Sequence, residues 1–290
     1  MKGGNVGMEF NKILEGDALN VLKGFPSKSI DMCITSPPYW GLRDYKHSGQ
    51  LGQETTPEEY ISNLCDVFDE VYRVLKDNGT LWVNLSDTYV NKNHKLDNYK
   101  CKSLALIPHL FVIEMCRRGW ICRNDIIWHK PNAMPSPVKD RFTVDFEYIF
   151  LFSKQEKYYF EQQKEKNKDS YNGKRGSSRT RTKFESAMRG DVSEKRKNYE
   201  MRNIRTTWSI NTKPFKEAHF ATYPDDLVRV PILSGCPVGG VVLDPFMGSG
   251  TTAIVALEYF RNYIGIELVK DSIVIANNRI KRFAQDNLNK

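Results

Sequence analysis

Four residues near the start of the chain, Ser36-Pro37-Pro38-Tyr39, combine a hydroxyl, two prolines and an aromatic ring directly after an apolar run at 30–35. Two prolines fix the backbone and remove two N–H donors, so the carbonyl groups there can face a ligand. The Ser36 hydroxyl and the Pro37 carbonyl could therefore accept the two hydrogens of an amino group. An amino group on a nucleobase is a poor nucleophile because its lone pair is delocalised into the ring. Two such acceptors would favour tetrahedral geometry at its nitrogen.

Tyr39 adds a ring face on which a nucleobase could stack. A base inside a duplex would have to swing out to reach it, at a cost of roughly a few kcal/mol. Positioning of the two reactants would supply much of the acceleration, without a strong base or a metal. The alternative interpretation is a rigid surface turn whose aromatic side chains pack on the core.

A second segment, residues 241–253, is typical of a strand, a tight turn and the start of a helix. Its glycines, Gly248 and Gly250, begin a G-x-G-x-x-A spacing. Glycine lets the backbone approach a ligand closely, and the N–H groups of a first helical turn favour an anion. After the next strand, the Glu267 carboxylate could accept both hydroxyls of a ribose. On these grounds alone the segment fits NAD as well as any other nucleoside cofactor. The alternative interpretation is an ordinary tight turn between a strand and a helix that binds no ligand.

Together the two segments resemble motifs of the beta-class DNA amino-methyltransferases. Asp244-Pro-Phe-x-Gly-Ser-Gly-Thr-Thr is similar to that family's S-adenosylmethionine loop, and the segment at 35–40, TSPPYW, to its catalytic motif. The resemblance extends over nearly the whole chain. Catalytic motif first, basic insert second and cofactor loop last is the permuted order of the beta class. The resemblance therefore implies S-adenosyl-L-methionine as the cofactor.

The resemblance also implies roles for single residues around that cofactor. In the family, the acid that matches Glu267 holds the ribose, and the acid that matches Asp17 lies near the adenine. A residue like Phe246 packs beside the same ring. The full set implied for cofactor binding is Asp17, Thr35, Asp244, Phe246, Gly248, Ser249, Gly250, Thr251 and Glu267.

Serine in the first position of the catalytic motif is typical of the family's cytosine-N4 enzymes, and Asp or Asn of its adenine-N6 enzymes. The resemblance thus implies that Ser36, Pro37, Pro38 and Tyr39 catalyse methyl transfer to N4 of cytosine, flipped out of a defined DNA sequence. Adenine-N6 is the alternative, because this division is not strict. The implied setting is a restriction-modification system with a cognate restriction endonuclease.

Three other functions stay open at this point. RNA or a protein amide could accept the methyl group, since a related Asn-Pro-Pro-Tyr turn occurs in glutamine-modifying enzymes, where the cofactor loop precedes the Pro-Pro motif. An inactive protein that only binds DNA is the second, although the motifs at 36–39 and 248–250 are intact. An NAD-dependent oxidoreductase is the third, and binding of S-adenosylhomocysteine without NAD would exclude it.

The net charge of +8 is concentrated in one part of the chain. Residues 164–205 contain 14 Lys or Arg and six Asp or Glu, which is the whole excess. Such a run is typical of a solvated loop, and also of a surface that meets phosphates and releases their counterions. We predict a target-recognition insert over residues 160–210 that binds double-stranded DNA. Candidate phosphate contacts are Arg175, Arg179, Arg181, Lys195, Arg196 and Lys197.

Short β-rich runs alternate with helical patterns outside the insert, which favours a mostly parallel sheet covered by helices. We predict an α/β methyltransferase domain with a Rossmann-like, circularly permuted fold. Its catalytic part spans 8–159 and its cofactor-binding part 211–290. Predicted strands are 12–14, 30–35, 80–85, 121–128, 142–153, 241–243 and 262–267, and predicted helices are 57–76, 103–118, 224–233, 251–259 and 270–287.

Composition limits the remaining classes. With 290 residues and 40% hydrophobic content, the chain can bury a substantial core. It has no apolar run long enough to cross a bilayer, and residues 1–7 lack the apolar stretch of a secretory signal, which predicts a cytoplasmic protein. Met8 is an equally good candidate for the native first residue, because residues 1–7 show no periodicity. The six cysteines show no zinc spacing, which predicts free, mostly buried thiols without metal or disulfide. Monomer and homodimer both stay open.

Overall fold

The structure is a computed structural model that describes residues 9–44, 46–47, 49–91, 96, 98–167, 200–212 and 223–288. The chain divides into two compact units. The larger comprises residues 1–161 and 206–290, and the smaller residues 162–205. The predicted insert at 160–210 covers the smaller unit, and its role in target recognition stays a prediction.

Among the described residues, eight strands of the larger unit form one sheet. Their spatial order is β1-β10-β9-β2-β3-β5-β4-β8, in which β5 is antiparallel to both neighbours and every other pairing is parallel. The predicted α/β fold with a mostly parallel sheet is therefore confirmed. In chain order the strands are β1 (Lys12–Glu15), β2 (Ile30–Thr35), β3 (Leu75–Leu85), β4 (Ile121–His129), β5 (Phe146–Ser153), β8 (Thr207–Ser209), β9 (Val241–Asp244) and β10 (Asn262–Glu267).

The smaller unit contains one described strand pair, β6 (Lys164–Lys166) with β7 (Met201–Asn203), which run antiparallel. Arg202 Nε donates to Glu165 Oε1 at 2.8 Å across this pair. The six candidate phosphate contacts, Arg175, Arg179, Arg181, Lys195, Arg196 and Lys197, lie outside the described residues.

Helices cover the sheet, and the longest of the catalytic part, α2, begins as its sequence predicts. The Thr56 side chain accepts a hydrogen bond from the Glu59 N–H, and Pro57 occupies the first turn, where its missing N–H costs nothing. Tyr60, Leu64 and Phe68 recur at helical spacing and are buried against the sheet. The described helices are α1 (Ala18–Lys23), α2 (Pro57–Val74), α3 (Ile107–Arg117), α4 (Asp225–Gly235), α5 (Thr251–Glu258) and α6 (Lys270–Leu288).

Some boundaries differ from the predictions. The strand predicted from residue 142 begins at Phe146, and Phe142 itself is 96% exposed. The helix predicted from residue 103 begins at Ile107, because Leu106 has a left-handed backbone with φ of 60°. The short helix α1 and the three-residue strand β8 were not predicted, since neither is long enough to show a period.

The parallel strands bring their carboxyl ends to one edge of the sheet. The residues that follow β1, β2, β9 and β10 therefore meet there, as does the end of β4. Because β5 runs antiparallel, its first residues lie at the same edge. Open α/β sheets bind ligands at this edge, and both chemistry-bearing segments of the sequence lie on it.

The burial of the cysteine side chains differs in part from the prediction that they are mostly buried. Cys33, Cys65 and Cys236 are buried, but Cys101 and Cys116 are exposed. All six lie in the described part of the chain as free cysteines. Within those same parts, no cluster of three His, Cys, Asp or Glu side chains is arranged to hold a metal ion. None of the described helices has the length and apolarity needed to cross a membrane.

Candidate active site

A cavity of about 320 Å³ opens at the carboxyl edge of the sheet. Ser36, Pro37, Pro38 and Tyr39 line one side, and Gly248 belongs to the other. The structure therefore brings together the two segments, which lie more than two hundred residues apart in the chain.

A chain of hydrogen bonds leads from the Ser36 hydroxyl into the cavity wall. Ser36 Oγ donates to the Tyr39 hydroxyl at 3.2 Å. The Tyr39 hydroxyl lies 2.7 Å from Glu147 Oε2 and 3.1 Å from Asn84 Oδ1, and it can donate its one proton to either. Burial and the charge of Glu147 raise the pKa of Tyr39 well above its usual value, which keeps the phenol neutral and able to donate.

Glu147 is held from two further directions. Asn84 Nδ2 donates to Glu147 Oε2 at 2.9 Å and to the Tyr148 carbonyl at 3.0 Å. Lys130 Nζ forms an ion pair with Glu147 Oε1, and it also lies 4.6 Å from the centre of the Trp128 ring. All of these contacts are at the cavity, which Asn84, Lys130 and Glu147 line.

The loop that carries the catalytic motif is fixed from behind. The Tyr60 hydroxyl of α2 donates to the Pro38 carbonyl at 2.8 Å. Gly52 packs against the same loop, because a Cβ at this position would lie 2.8 Å from the Tyr39 carbonyl oxygen. The Trp40 indole N–H donates to the Glu54 carbonyl at 2.9 Å. The backbone of the motif is therefore positioned independently of any ligand.

The opposite side of the cavity presents carboxylates and an aromatic ring. Glu267 Oε2 accepts from the Gly248 N–H at 2.7 Å, and Oε1 accepts from the Val269 N–H at 2.8 Å. Each oxygen can accept one more hydrogen bond. Asp17 caps α1 through the Asn20 N–H and also lines the cavity. Burial raises the pKa of Glu267, an effect that the backbone donors oppose.

The side chains on the Glu267 side of the cavity have the chemical groups that a nucleoside cofactor needs. Ribose hydroxyls need acceptors, which Glu267 and Asp17 supply, and a purine ring needs apolar neighbours. Half-buried Phe246 and the Leu268 side chain line the same space. Around Gly248, a Cβ would meet nothing closer than the Phe246 carbonyl at 3.9 Å, so the loop leaves room for a ligand.

Asp244 has a different position from the one the sequence implies. It is completely buried, and it is absent from the cavity lining, as are Thr35 and Gly250. Its Oδ1 accepts from Thr35 Oγ1 at 2.6 Å and from the Phe246 N–H at 3.1 Å. Its Oδ2 accepts from Thr252 Oγ1 at 2.6 Å and from the Tyr223 hydroxyl at 3.0 Å.

Asp244 therefore ties the end of β9 to β2 and to the first turn of α5. Burial raises the pKa of its carboxyl group, and the donors oppose this shift. We assign Asp244, Thr35 and Gly250 to the support of the cavity wall instead of direct contact with the cofactor. Phe246, Gly248, Ser249 and Thr251 line the cavity itself.

A second support of the glycine-rich loop was not predicted from the sequence. Arg279 Nη1 in α6 donates to the Ser249 carbonyl at 2.7 Å, to Ser249 Oγ at 2.8 Å and to Thr251 Oγ1 at 3.2 Å. No pattern in the sequence distinguishes Arg279 from the other basic residues of that helix. Glu147 did leave a signal, since it is the one charged residue in the otherwise apolar and aromatic run at 146–152.

The backbone of the loop lies close to α6 at Gly250. Its φ is 84°, and a Cβ there would lie 3.0 Å from the Ala276 Cβ and 3.2 Å from its Cα. We expect Gly250→Ala to destabilise the fold by about 2 kcal/mol, through the left-handed backbone and the contact with α6. It should also weaken binding of S-adenosylhomocysteine, measured by calorimetry, because the loop must move away from the helix.

Gly239→Ala is the matched control for this prediction. Gly239 has a similar φ of 77°, but a Cβ there would meet nothing within 4 Å. It should show only the backbone cost in urea unfolding and bind S-adenosylhomocysteine normally. Equal losses of affinity in the two variants would contradict the steric explanation.

Comparisons with known proteins show which family this chain resembles. A family described as DNA methylase, N6_N4_Mtase, matches residues 30–278. The type II methyltransferase M.Cfr9I of Citrobacter freundii is 39% identical over 288 residues, covering 93% of this chain and 87% of that protein. M.SmaI of Serratia marcescens is 38% identical over 290 residues, covering 93% and 91%.

Solved structures share the fold. TTHA0409 from Thermus thermophilus, described as a putative DNA modification methylase and complexed with S-adenosyl-L-methionine, superposes with a TM-score of 0.62 at 28% identity. The match covers 94% of this chain and 95% of that one. The PvuII DNA methyltransferase, described as cytosine-N4-specific, superposes with a TM-score of 0.65 at 20% identity over 97% of both chains.

Proposed function

Because the chain belongs to the N6_N4_Mtase family of DNA methylases, as a type II DNA methyltransferase that uses S-adenosyl-L-methionine, we propose that its target is N4 of cytosine. The proposal rests on Ser36, whose hydroxyl heads the catalytic motif at the cavity. The biological setting that we propose is restriction-modification, with protection of DNA from a cognate endonuclease, inside the cytoplasm.

The observation that supports an amino group as the target is the hydrogen bond from Ser36 to Tyr39, and the choice of cytosine rests on serine as the first residue of the motif. Because the Ser36 proton points at the Tyr39 hydroxyl, the lone pairs of Ser36 Oγ are left to accept a hydrogen from an amino group. With the Pro37 carbonyl as second acceptor, the target nitrogen is drawn toward tetrahedral geometry. These acceptors select an amine over a carbonyl, since a carbonyl oxygen would face two other oxygens.

The opposite wall would hold the cofactor. S-adenosyl-L-methionine supplies an electrophilic methyl group on a sulfonium, which needs no further activation. Glu267 and Asp17 would accept hydrogen bonds from its ribose, and Phe246 would pack against its adenine. The Ser249 and Thr251 region, held by Arg279, would close around the methionine part.

The cavity walls would also hold the target base in position. Tyr39 offers the ring face for stacking, and its hydroxyl is anchored by Glu147 and Asn84, so the ring cannot rotate freely. Lys130, over the Trp128 ring, closes the same wall. A base held between these groups has its amino group at Ser36, and this preorganisation supplies the acceleration.

Cells that express the chain provide the test. Their DNA is sequenced for methylation, and the modified bases are identified by mass spectrometry. The proposal predicts N4-methylcytosine in one defined sequence context, and protection from an endonuclease that cuts there. A result with only N6-methyladenine would refute the choice of base and leave the enzyme class standing.

The loop at 131–145 supplies a candidate DNA contact within the described residues. Both its ends lie at the cavity, because Lys130 precedes it and Glu147 follows it. Phe142 is 96% exposed and Met134 87%. Large apolar side chains this exposed are typical of surfaces that meet a partner, and proteins that unstack bases insert such side chains. We propose that Phe142 enters the base stack beside the extruded cytosine.

Phe142→Ala is therefore expected to lower kcat/KM on a paired duplex by about tenfold. The variant lacks the ring that would offset part of the free-energy cost of unstacking the target base. On a duplex with a mismatched target cytosine, which is easier to extrude, the loss should be smaller. Phe260→Ala is the matched control, because Phe260 is 79% exposed but precedes β10 at the opposite edge of the sheet. Equal losses on both duplexes would contradict the role of Phe142 in extrusion.

A further inference from the structure

We propose that Glu147 is the terminal proton acceptor of the methyl-transfer reaction, reached from the target amine through Ser36 and Tyr39. The inference rests on the proposed function, since it takes the amine at Ser36 as the methyl acceptor. It assigns a catalytic use to a carboxylate that belongs to neither motif and lies 108 residues from Tyr39 in the chain.

The direction of the hydrogen bonds supports a path for the proton. Ser36 donates to the Tyr39 oxygen at 3.2 Å, so the Tyr39 proton must point elsewhere. Its two acceptors are Glu147 Oε2 at 2.7 Å and Asn84 Oδ1 at 3.1 Å. The charged and closer acceptor gives the stronger bond. The resting arrangement thus runs in one direction, from Ser36 through Tyr39 to Glu147.

The methyl-transfer reaction requires a group that accepts the proton released by the target amine. Transfer forms a nitrogen–carbon bond and breaks the carbon–sulfur bond, whose electron pair stays on sulfur. The amine nitrogen has then used its lone pair and must release one proton. Ser36 Oγ accepts this proton while its own passes to Tyr39, and the Tyr39 proton passes to Glu147. Both hydroxyls are restored, and the carboxylate becomes neutral.

The surroundings of Glu147 present a cation and hydrogen-bond donors to both of its carboxylate oxygens. Lys130 pairs with Oε1, which leaves Oε2 for Tyr39 and Asn84. The side chains of Glu147 and Lys130 are only 12% and 19% exposed. The titratable groups that contact Glu147 among the described residues are Tyr39, from the loop after β2, and Lys130, after β4. Asn84 of β3 carries no charge.

A purely structural role explains this ion pair less well. Burying two charges carries a large desolvation cost, and a pair of apolar residues of similar volume often gives a fold of equal stability. An ion pair on a cavity wall, bonded to the catalytic motif, is better explained by chemistry there. The Arg118 cluster with Asp66 and Asp69 contrasts with it, because those carboxylates are half exposed and lie away from the cavity.

Glu147→Gln and Tyr39→Phe test the proposal with duplex DNA under single-turnover conditions, so that product release does not mask the methyl-transfer step. Glutamine preserves the shape and an acceptor for Tyr39 but cannot take a proton. We expect each variant to lose about 10²-fold in rate, the usual contribution of general-base catalysis. Because both act on one path, the double variant should lose little more than either single variant.

The pH profile distinguishes proton acceptance from a structural role. Because a general base must be free of a proton in order to accept one, the single-turnover rate of the wild-type protein should fall at acidic pH. Glu147→Gln should lose this fall. Glu114→Gln is the matched control, since Glu114 also pairs with a basic side chain, Arg118 at 3.0 Å, but does not line the cavity and should keep the wild-type rate and profile.

Two measurements keep the outcomes separate. Affinity for S-adenosylhomocysteine and thermal unfolding report whether a variant is folded, and Tyr39→Phe decides the matter if Glu147→Gln fails to fold. Wild-type rates and pH profile in folded Glu147→Gln, or additive losses in the double variant, would overturn the relay while the wild-type protein still makes N4-methylcytosine. Absence of that product from the wild-type protein would instead overturn the proposed function.

Discussion

We expect Ser36→Ala to lower the rate of methyl transfer by about 10²- to 10³-fold, the usual cost of removing one preorganised hydrogen-bonding group from an active site. Alanine removes one of the two acceptors that we propose for the target amine and leaves the Pro37 carbonyl, so the target nitrogen keeps more of its conjugation with the ring. Tyr39 can still donate to Glu147 or Asn84, so the wall of the cavity should stay in place.

Binding and transfer should therefore separate in this variant. Calorimetry with S-adenosylhomocysteine should give the wild-type affinity, because Ser36 lies on the other side of the cavity from Glu267. Ser29→Ala is the matched control: Ser29 precedes β2 at the opposite edge and donates to the Pro26 carbonyl at 2.8 Å. If Ser36→Ala methylates DNA at the wild-type rate, the hydroxyl has no role in the reaction.

Asp244→Ala is expected to destabilise the fold by about 3 to 5 kcal/mol, which is the scale of a broken buried polar network. The change leaves three hydroxyls, of Thr35, Thr252 and Tyr223, and the Phe246 N–H without their common acceptor. The loop between β9 and α5 loses its anchor to β2. Affinity for S-adenosylhomocysteine should fall together with stability.

Urea unfolding followed by circular dichroism measures the loss of stability, and calorimetry measures the loss of affinity for S-adenosylhomocysteine. Asp286→Ala provides the comparison, because Asp286 is an exposed carboxylate in α6 and should change stability only slightly. Wild-type stability in Asp244→Ala would show that the hydroxyls find other partners and that the network does not hold the loop.

The sequence was sufficient to predict both walls of the cavity, because each depends on a local pattern. Ser36 follows an apolar run that forms a buried strand, and Gly248 follows another. The alternation of elements predicts a mostly parallel sheet, whose strands bring their carboxyl ends to one edge, and the family resemblance implies that the two motifs share one site there.

The groups behind those walls could not be predicted in the same way. Glu147 reaches the site only because β5 inserts antiparallel between β3 and β4, which a periodicity does not reveal. Arg279, which donates to the Ser249 carbonyl, lies in α6 and follows Ser249 by 30 residues in the chain. The burial of Asp244 depends on Thr35 and Tyr223, which come from other parts of the chain. Such positions follow from topology and packing, not from spacing along the sequence.

The most direct test of the central claim uses purified protein, a duplex containing its target sequence and S-adenosyl-L-methionine whose methyl group carries deuterium. The DNA is digested to nucleosides and analysed by mass spectrometry. We predict that the label appears in N4-methyldeoxycytidine and that Ser36→Ala reduces its yield. Label found only in N6-methyldeoxyadenosine, or none transferred to DNA, would contradict the assignment of Ser36 as the acceptor for a cytosine amine.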